Sequence, residues 1–277
     1  MLVVLAFTDV ITGDARVALA IAATGFGLGG AVEDLRGVPA APRLLSQGAM
    51  AIATLPWLLS EMRGPEVWRV IFGVGVVVWL IAYVNAFNFM DGVNGLSAAQ
   101  VVVAGVTWWA LGEWQDVHAV AAGGLVVAAA AMAFAPFNFP RARMFLGDVG
   151  SYFFGGWLGV LAVLALRRGL TVEAAIAPLS LYLADTGWTL ARRVAQHETW
   201  YLPHRDHVYQ RFITLGWTHA RVTAVVGAVI AACSCLGAVS LLGALWARSL
   251  ADAALVGVLI VYLISPSLLR RRATSEP

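Results

Sequence analysis

Residues 70–84 read VIFGVGVVVWLIAYV, fifteen residues without a charge, and they run straight into NAFNFMDGVNGLSA at 85–98. A run of that kind has two options: burial at the centre of a large protein, or hydrocarbon. The rest of the chain decides between them, because 60% of its 277 residues are hydrophobic and only 12% are charged, too few to coat a soluble domain. Backbone amides in lipid must be satisfied within their own segment, and a bilayer core of about 30 Å needs roughly 20 apolar residues per helical crossing. The chain is therefore expected to be an all-α, polytopic transmembrane helix bundle forming a single unit over 1–277. Nine full spans are expected, at 17–32, 43–60, 68–88, 97–112, 119–136, 151–167, 173–191, 222–246 and 253–269. Residues 2–8 read as the tail of a tenth, and with no basic residue before Leu2 they make a poor signal peptide.

All 18 basic residues are arginine. If the loop carrying Glu33 is cytoplasmic, twelve fall on that side (36, 43, 141, 143, 192, 193, 205, 211, 221, 270, 271 and 272) and six on the other (16, 63, 69, 167, 168 and 248). That bias orients the bundle by the positive-inside rule. The cytoplasmic connections then hold nearly all the reactive side chains, whereas EMRGPE and GEWQDVH opposite are chemically plain. A transporter would place polar groups near mid-bilayer; here they gather at span ends, where a substrate half in lipid and half in water can be met. Cys233 and Cys235, two apart on a helix, point away from each other and form no mutual disulfide.

Four polar clusters carry candidate chemistry. Asn85, Asn88, Asp91 and Asn94 recur every third residue where a span emerges, followed by glycines that permit a tight turn; the competing reading is a polar helix end. In FLGDVGS, Asp148 lies between two glycines ahead of an apolar span whose start Ser151 can cap; Asp148 is a candidate ligand for a hard cation or an N-cap in its own right. Glu33 and Asp34 are adjacent carboxylates that repel unless a cation or proton relieves them; alternatively they are surface acids beside Arg36. PHRDHVYQR at 203–211 supplies His204, Arg205, His207 and Arg211, donors for a polyanion; the alternatives are a plain basic loop or half a zinc site. Asp185, within a span, is expected to face the bundle interior with a partner, and Arg192 shares its face.

Taken together, EDLRG, NAFNFMDGVNGLSA, FLGDVGS, the ADTGWTLARR span and HRDHVYQRF resemble the polyprenyl-phosphate N-acetylhexosamine-1-phosphate transferases, relatives of phospho-N-acetylmuramoyl-pentapeptide transferase, from about residue 17 to 270. The resemblance implies a multi-pass enzyme of the bacterial cytoplasmic membrane. Such an enzyme moves a sugar 1-phosphate from a UDP-sugar to undecaprenyl phosphate, with Mg²⁺ or Mn²⁺ as cofactor, membrane lipid around it and no nucleic-acid partner; a homodimer is left open. By the same resemblance Asn88 and Asp148 hold the metal. Glu33, Asp34, Asp91, His204 and His207 are catalytic, and Asn85, Asn94 and Arg205 bind substrate. Two departures stand out: Glu33 replaces the first of two aspartates, and the family's one or two leading spans with their basic loop do not precede residue 17. The HRDH form and the second Asn of DGVNG point to the O-antigen-initiating branch. The competing functions are a transporter or lipid-phosphate binder using the same acids, and an inactive, shortened relative.

Overall fold

The computed structural model describes residues 11, 13–60, 62–198 and 206–275, the side chains of 271–275 excepted. Every regular element among them is helical: α1 Gly13–Arg36, α2 Ala40–Leu58, α3 Glu66–Met90, α4 Leu96–Trp114, α5 His118–Asn138, α6 Gly147–Arg167, α7 Val172–Ile176, α8 Ser180–Ala195, α9 Val208–Thr214, α10 His219–Val239 and α11 Leu245–Ser275. A 3₁₀ turn at Ala177–Leu179 joins α7 to α8, and another at Ser240–Leu242 ends α10. Among the described residues six helices are long and apolar enough to cross a membrane: α1, α3, α5, α6, α10 with its 3₁₀ turn, and α11 to Arg270. The expected partial span at 2–8 lies outside the described residues.

The span expected at 173–191 is instead three pieces. Pro178 has no N–H to donate, and the chain tightens there into the 3₁₀ turn before α8 begins. The next expected span, 222–246, stops at Leu242, where Gly243 takes φ 78°. Helix α6 also begins four residues before the expected 151, so Ser151 is buried within it and does not cap it.

Helix α6 is the centre of the bundle, packed against α1, α3, α4 and α5. Of its most apolar window, 78% is buried, against 11% for α11, which lies at the periphery along α10. Trp157 of α6 is fully buried and donates its indole N–H to Gly123 O of α5 at 3.1 Å, while Trp79 of α3 donates to Gly159 O of α6 at 3.0 Å. With lipid as apolar as the helix surfaces, such packing and interhelical bonds, not exclusion from water, hold the helices together.

The α1–α6 crossing is the tightest at the site. Gly30 lies against the backbone of Asp148 and Val149, where a side-chain carbon would run into the Asp148 carbonyl. This approach brings the end of α1 over the start of α6. Gly30→Ala is expected to lose about 1–3 kcal/mol by overpacking. At the neighbouring Gly29 nothing lies within 4 Å, so Gly29→Ala is expected to be neutral or to gain up to about 1 kcal/mol of helix propensity. Thermal midpoints of the purified variants in detergent check the pair.

Candidate active site

Where α1 ends, Asp34 reaches across to α6. Its carboxylate accepts the backbone N–H groups of Asp148 and Val149, both at 3.0 Å. The first amides of a helix have no intrahelical partner and carry the positive end of its dipole, so an anion belongs there. Gly147, at φ 67°, makes the turn, and a side-chain carbon on it would crowd Asp34 Oδ2 at 2.8 Å. Helix α6 therefore takes its cap from α1. Its partner in sequence, Glu33, pairs instead with Arg43 Nη1 at 3.2 Å. The expected repulsion between adjacent acids is thus relieved without a shared cation, each carboxylate finding its own counterpart.

The cap leaves the Asp148 side chain directed at α3. Asn88 Nδ2 donates to Asp148 Oδ1 at 2.5 Å and to Ser151 Oγ at 3.0 Å, and Asp34 and Arg43 lie within electrostatic reach of the Asp148 carboxylate. The other polar residues of the 85–94 series converge only in part. A step of three residues falls about 60° short of a full turn on a 3.6-residue helix, so the series fans around the axis. Asn85 turns to α2, donating to Gln47 Oε1 at 2.6 Å, and Asp91 accepts from Ser97 Oγ at 2.5 Å. Asn94 closes the far side of the turn, its N–H donating to His219 Nδ1 at 3.2 Å and its side-chain amide to Pro140 O at 3.3 Å.

His204 and Arg205 lie outside the described residues. His207 is buried at 2% exposure, 3.0 Å from Asp185 Oδ1 through Nδ1. Asp185, fully buried, also accepts the N–H groups of Val208 at 3.0 Å and Tyr209 at 3.3 Å and the Tyr262 hydroxyl at 2.8 Å. It is bonded to α9 and α11, and the expected partner Arg192 donates instead to Asp206 O at 3.3 Å. A buried carboxylate surrounded by donors suits a fixed post better than a mobile acid. From that post Tyr209 reaches back to Phe89 O at 2.9 Å and packs on Gly92, which pins α9 to the end of α3.

Arg43 is the one site residue that sequence reasoning treated only as an orienting charge. It stands in the first turn of α2, where a cation opposes the helix dipole, and that misfit was the available signal. Beside it a cavity of about 530 Å³ opens between α2, α3 and α8, lined by Leu44, Asn85, Phe89, Leu183 and Leu190 among others. The polar centre and an apolar cavity thus share Arg43 and Asn85 as their boundary.

The donors at this centre are carboxylate and amide oxygens, which suit a hard cation such as Mg²⁺. Among the described residues no three His, Cys, Asp or Glu side chains gather into a metal cage. Mg²⁺ bound by one or two protein groups, with phosphate and water completing its shell, fits that set.

Residues 16–166 match the family model of glycosyl transferase family 4. Among curated relatives, the probable undecaprenyl-phosphate N-acetylglucosaminyl 1-phosphate transferase of Bacillus subtilis is 28% identical over 153 residues, 54% of this chain and 43% of that protein. The decaprenyl-phosphate N-acetylglucosaminephosphotransferase of Mycobacterium tuberculosis is 27% identical over 168 residues, covering 53% and 42%. The phospho-N-acetylmuramoyl-pentapeptide-transferase of Latilactobacillus sakei is 36% identical over 97 residues, covering 35% and 30%. The matched segment spans less than half the length of each of these relatives.

Asp91 supplies a pH test. Burial, with the Asp148 charge adding to it against the Ser97 bond, pushes its carboxyl up to about 7. The unfolded chain releases this proton near pH 4 and the folded chain near 7, so between them the folded state binds more protons and stability falls as pH rises. The thermal midpoint in metal-free detergent is expected to decline from pH 4 to 7 and then level, and Asp91→Asn is expected to flatten that decline.

Proposed function

Because this chain belongs to glycosyl transferase family 4, we propose that it transfers an N-acetylhexosamine 1-phosphate from a UDP-sugar to undecaprenyl phosphate and releases UMP. On this reading the whole chain is one membrane-embedded transferase unit of the bacterial cytoplasmic membrane, with Asp91, Asp148 and Arg43 at its cytoplasmic face and nine crossings in the bundle. The observation that carries it is the 2.5 Å contact of Asn88 with Asp148 at the ends of two apolar helices, beside an apolar cavity with Arg43 at its rim.

The reaction joins an oxygen of the lipid phosphate to the sugar-bearing phosphorus of the donor. The bond from that phosphorus to the bridging oxygen breaks, and the oxygen leaves on UMP. Both phosphates are anionic, so the protein's work is positioning and charge compensation more than proton transfer. Asn88 and Asp148 would hold Mg²⁺, which when bound supplies positive charge to the diphosphate oxygens. The Arg43 guanidinium offers a planar fork to the acceptor phosphate while the prenyl chain lies in the cavity beyond Leu44 and Phe89. Glu33 holds Arg43 in place, and Asp34 holds α6. Asp91, with its carboxyl near neutrality, is placed to keep or release a proton next to the diphosphate.

His207, buried against Asp185, acts by fixing the 206–214 segment, and Asn85 and Asn94 shape the walls toward acceptor and nucleotide. His204 and Arg205 grip donor phosphates in this proposal, on their motif alone. The O-antigen-initiating assignment and the identity of the N-acetylated sugar likewise rest on sequence motifs. Transport is the weaker reading, because the buried acid at the broken α7–α8 segment, Asp185, is already bonded on both oxygens.

Membranes containing the protein, supplied with Mg²⁺, undecaprenyl phosphate and UDP-N-acetylglucosamine, are expected to release UMP, and Asp148→Ala to lower the rate by about 100-fold or more. Leu44→Trp, which fills the cavity, is expected to raise KM for the lipid and leave that for the UDP-sugar unchanged. Accumulation of substrate in sealed vesicles without UMP would overturn the proposal.

A further inference from the structure

A second groove lies away from the acidic centre, between α10 and α11, with a volume of about 720 Å³. Its floor is apolar, formed by Val225 and Val229 of α10 and by Gly257 and Val258 of α11, with Val261 on the rim. From Arg221 to Val229 it runs about 12 Å along α10, and from Gly257 to Leu269 about 18 Å along α11, at 1.5 Å per residue. A slot of that length parallel to two membrane helices has the dimensions of an acyl chain.

The end of the groove is cationic. Arg221 stands in the first turn of α10, where a positive charge opposes the helix dipole, and that turn contains no acid to offset it. Its guanidinium stacks over Trp217 at 3.9 Å from the ring centroid, with one face held and the edge left to donate. Arg211, next to the groove residue Phe212, donates to a neutral partner, Ser267 Oγ of α11, at 3.0 Å. Arg192 and Arg270 bear on it as like charges. Of the acids within reach, Asp185 and Asp206, the first is bonded to α9 and Tyr262 and the second is paired with Arg193 at 2.6 Å. Among the described residues no acid pairs with Arg221 or Arg211, and the mouth of the groove is a positive edge.

We infer that this groove binds an anionic glycerophospholipid, one acyl chain lying along Val225, Val229 and Val258 and the headgroup phosphate set between Arg221 and Arg211. Arginine forks match phosphate oxygens, and anionic lipids concentrate at a basic membrane edge. A second copy of this chain suits the groove less well, because a two-fold contact sets Arg221 and Arg211 against their own images. The site is separate from the proposed reaction, and its test needs no catalysis.

The test is native mass spectrometry of the detergent-solubilised protein titrated with phosphatidylglycerol or phosphatidylcholine. One phosphatidylglycerol is expected to bind at least fivefold more tightly than phosphatidylcholine. Arg221→Gln is expected to weaken it at least fivefold by removing the charge. Gly257→Leu is expected to do the same by filling the groove at a position with nothing within 4 Å. Val261→Trp, on the exposed rim, replaces it should that variant not fold. Equal binding of the two lipids, or an undiminished preference in both the charge and the filling variants, overturns the inference. So does a filling variant that turns a dimer into a monomer while lipid binding stays unchanged.

Discussion

The carboxylate of Asp34 on the first amides of α6 is the contact from which the rest of the site follows. It ties the last turn of α1 to the first turn of the central helix, satisfies N–H groups that would otherwise lack a partner at a membrane edge, and fixes the direction of the Asp148 side chain. Asp148 can then meet Asn88 because α3 ends at the same level. The contact exists only because Gly30 lets the two backbones touch and Gly147 supplies the turn. A helix N-terminus, which favours any anion, is thus filled by the protein's own acid, and in the proposed reaction the phosphates are left to cations such as Arg43.

A second fixed point is Asp185. With five partners around a fully buried carboxylate, Thr189, His207, Val208, Tyr209 and Tyr262, it gathers α8, α9 and α11 about one position, and through Tyr209 it reaches the backbone of α3. The two carboxylates divide the work: Asp34 organises the α1–α6 side of the centre, Asp185 the α8–α11 side, and residues 88–95 lie between them. Neither role needs the carboxylate to change its protonation, which fits a centre where charge is positioned in advance of the substrates.

The helical class and the membrane setting were legible in the run from Val70 to Val84 and its counterparts, since hydrocarbon permits little else. Candidate site residues could be proposed from the sequence as well, because acids and amides at the ends of apolar helices are costly without a reason to be there. Their partners were not legible. Spacing by threes suggested that Asn85, Asn88 and Asp91 converge, but helical drift sends Asn85 to Gln47, and Asp91, just past the end of α3, accepts from Ser97. The adjacent pair Glu33 and Asp34 read as a shared acidic site, yet successive residues on a helix point about 100° apart and take different neighbours. Arg43 was visible only as a charge, because what makes it a site residue is a cavity formed by α2, α3 and α8 together.

By itself the sequence determined the solvent, the helical class and the chemical inventory, because hydropathy and polar spacing act over a few residues at a time. Only the tertiary structure decided which acid caps a helix, which faces a neighbouring amide and which is locked in the core. Those outcomes depend on contacts between residues from tens to more than a hundred positions apart, such as Asp34 with Asp148 and Asp185 with Tyr262. No local pattern encodes distances that arise only when the helices pack.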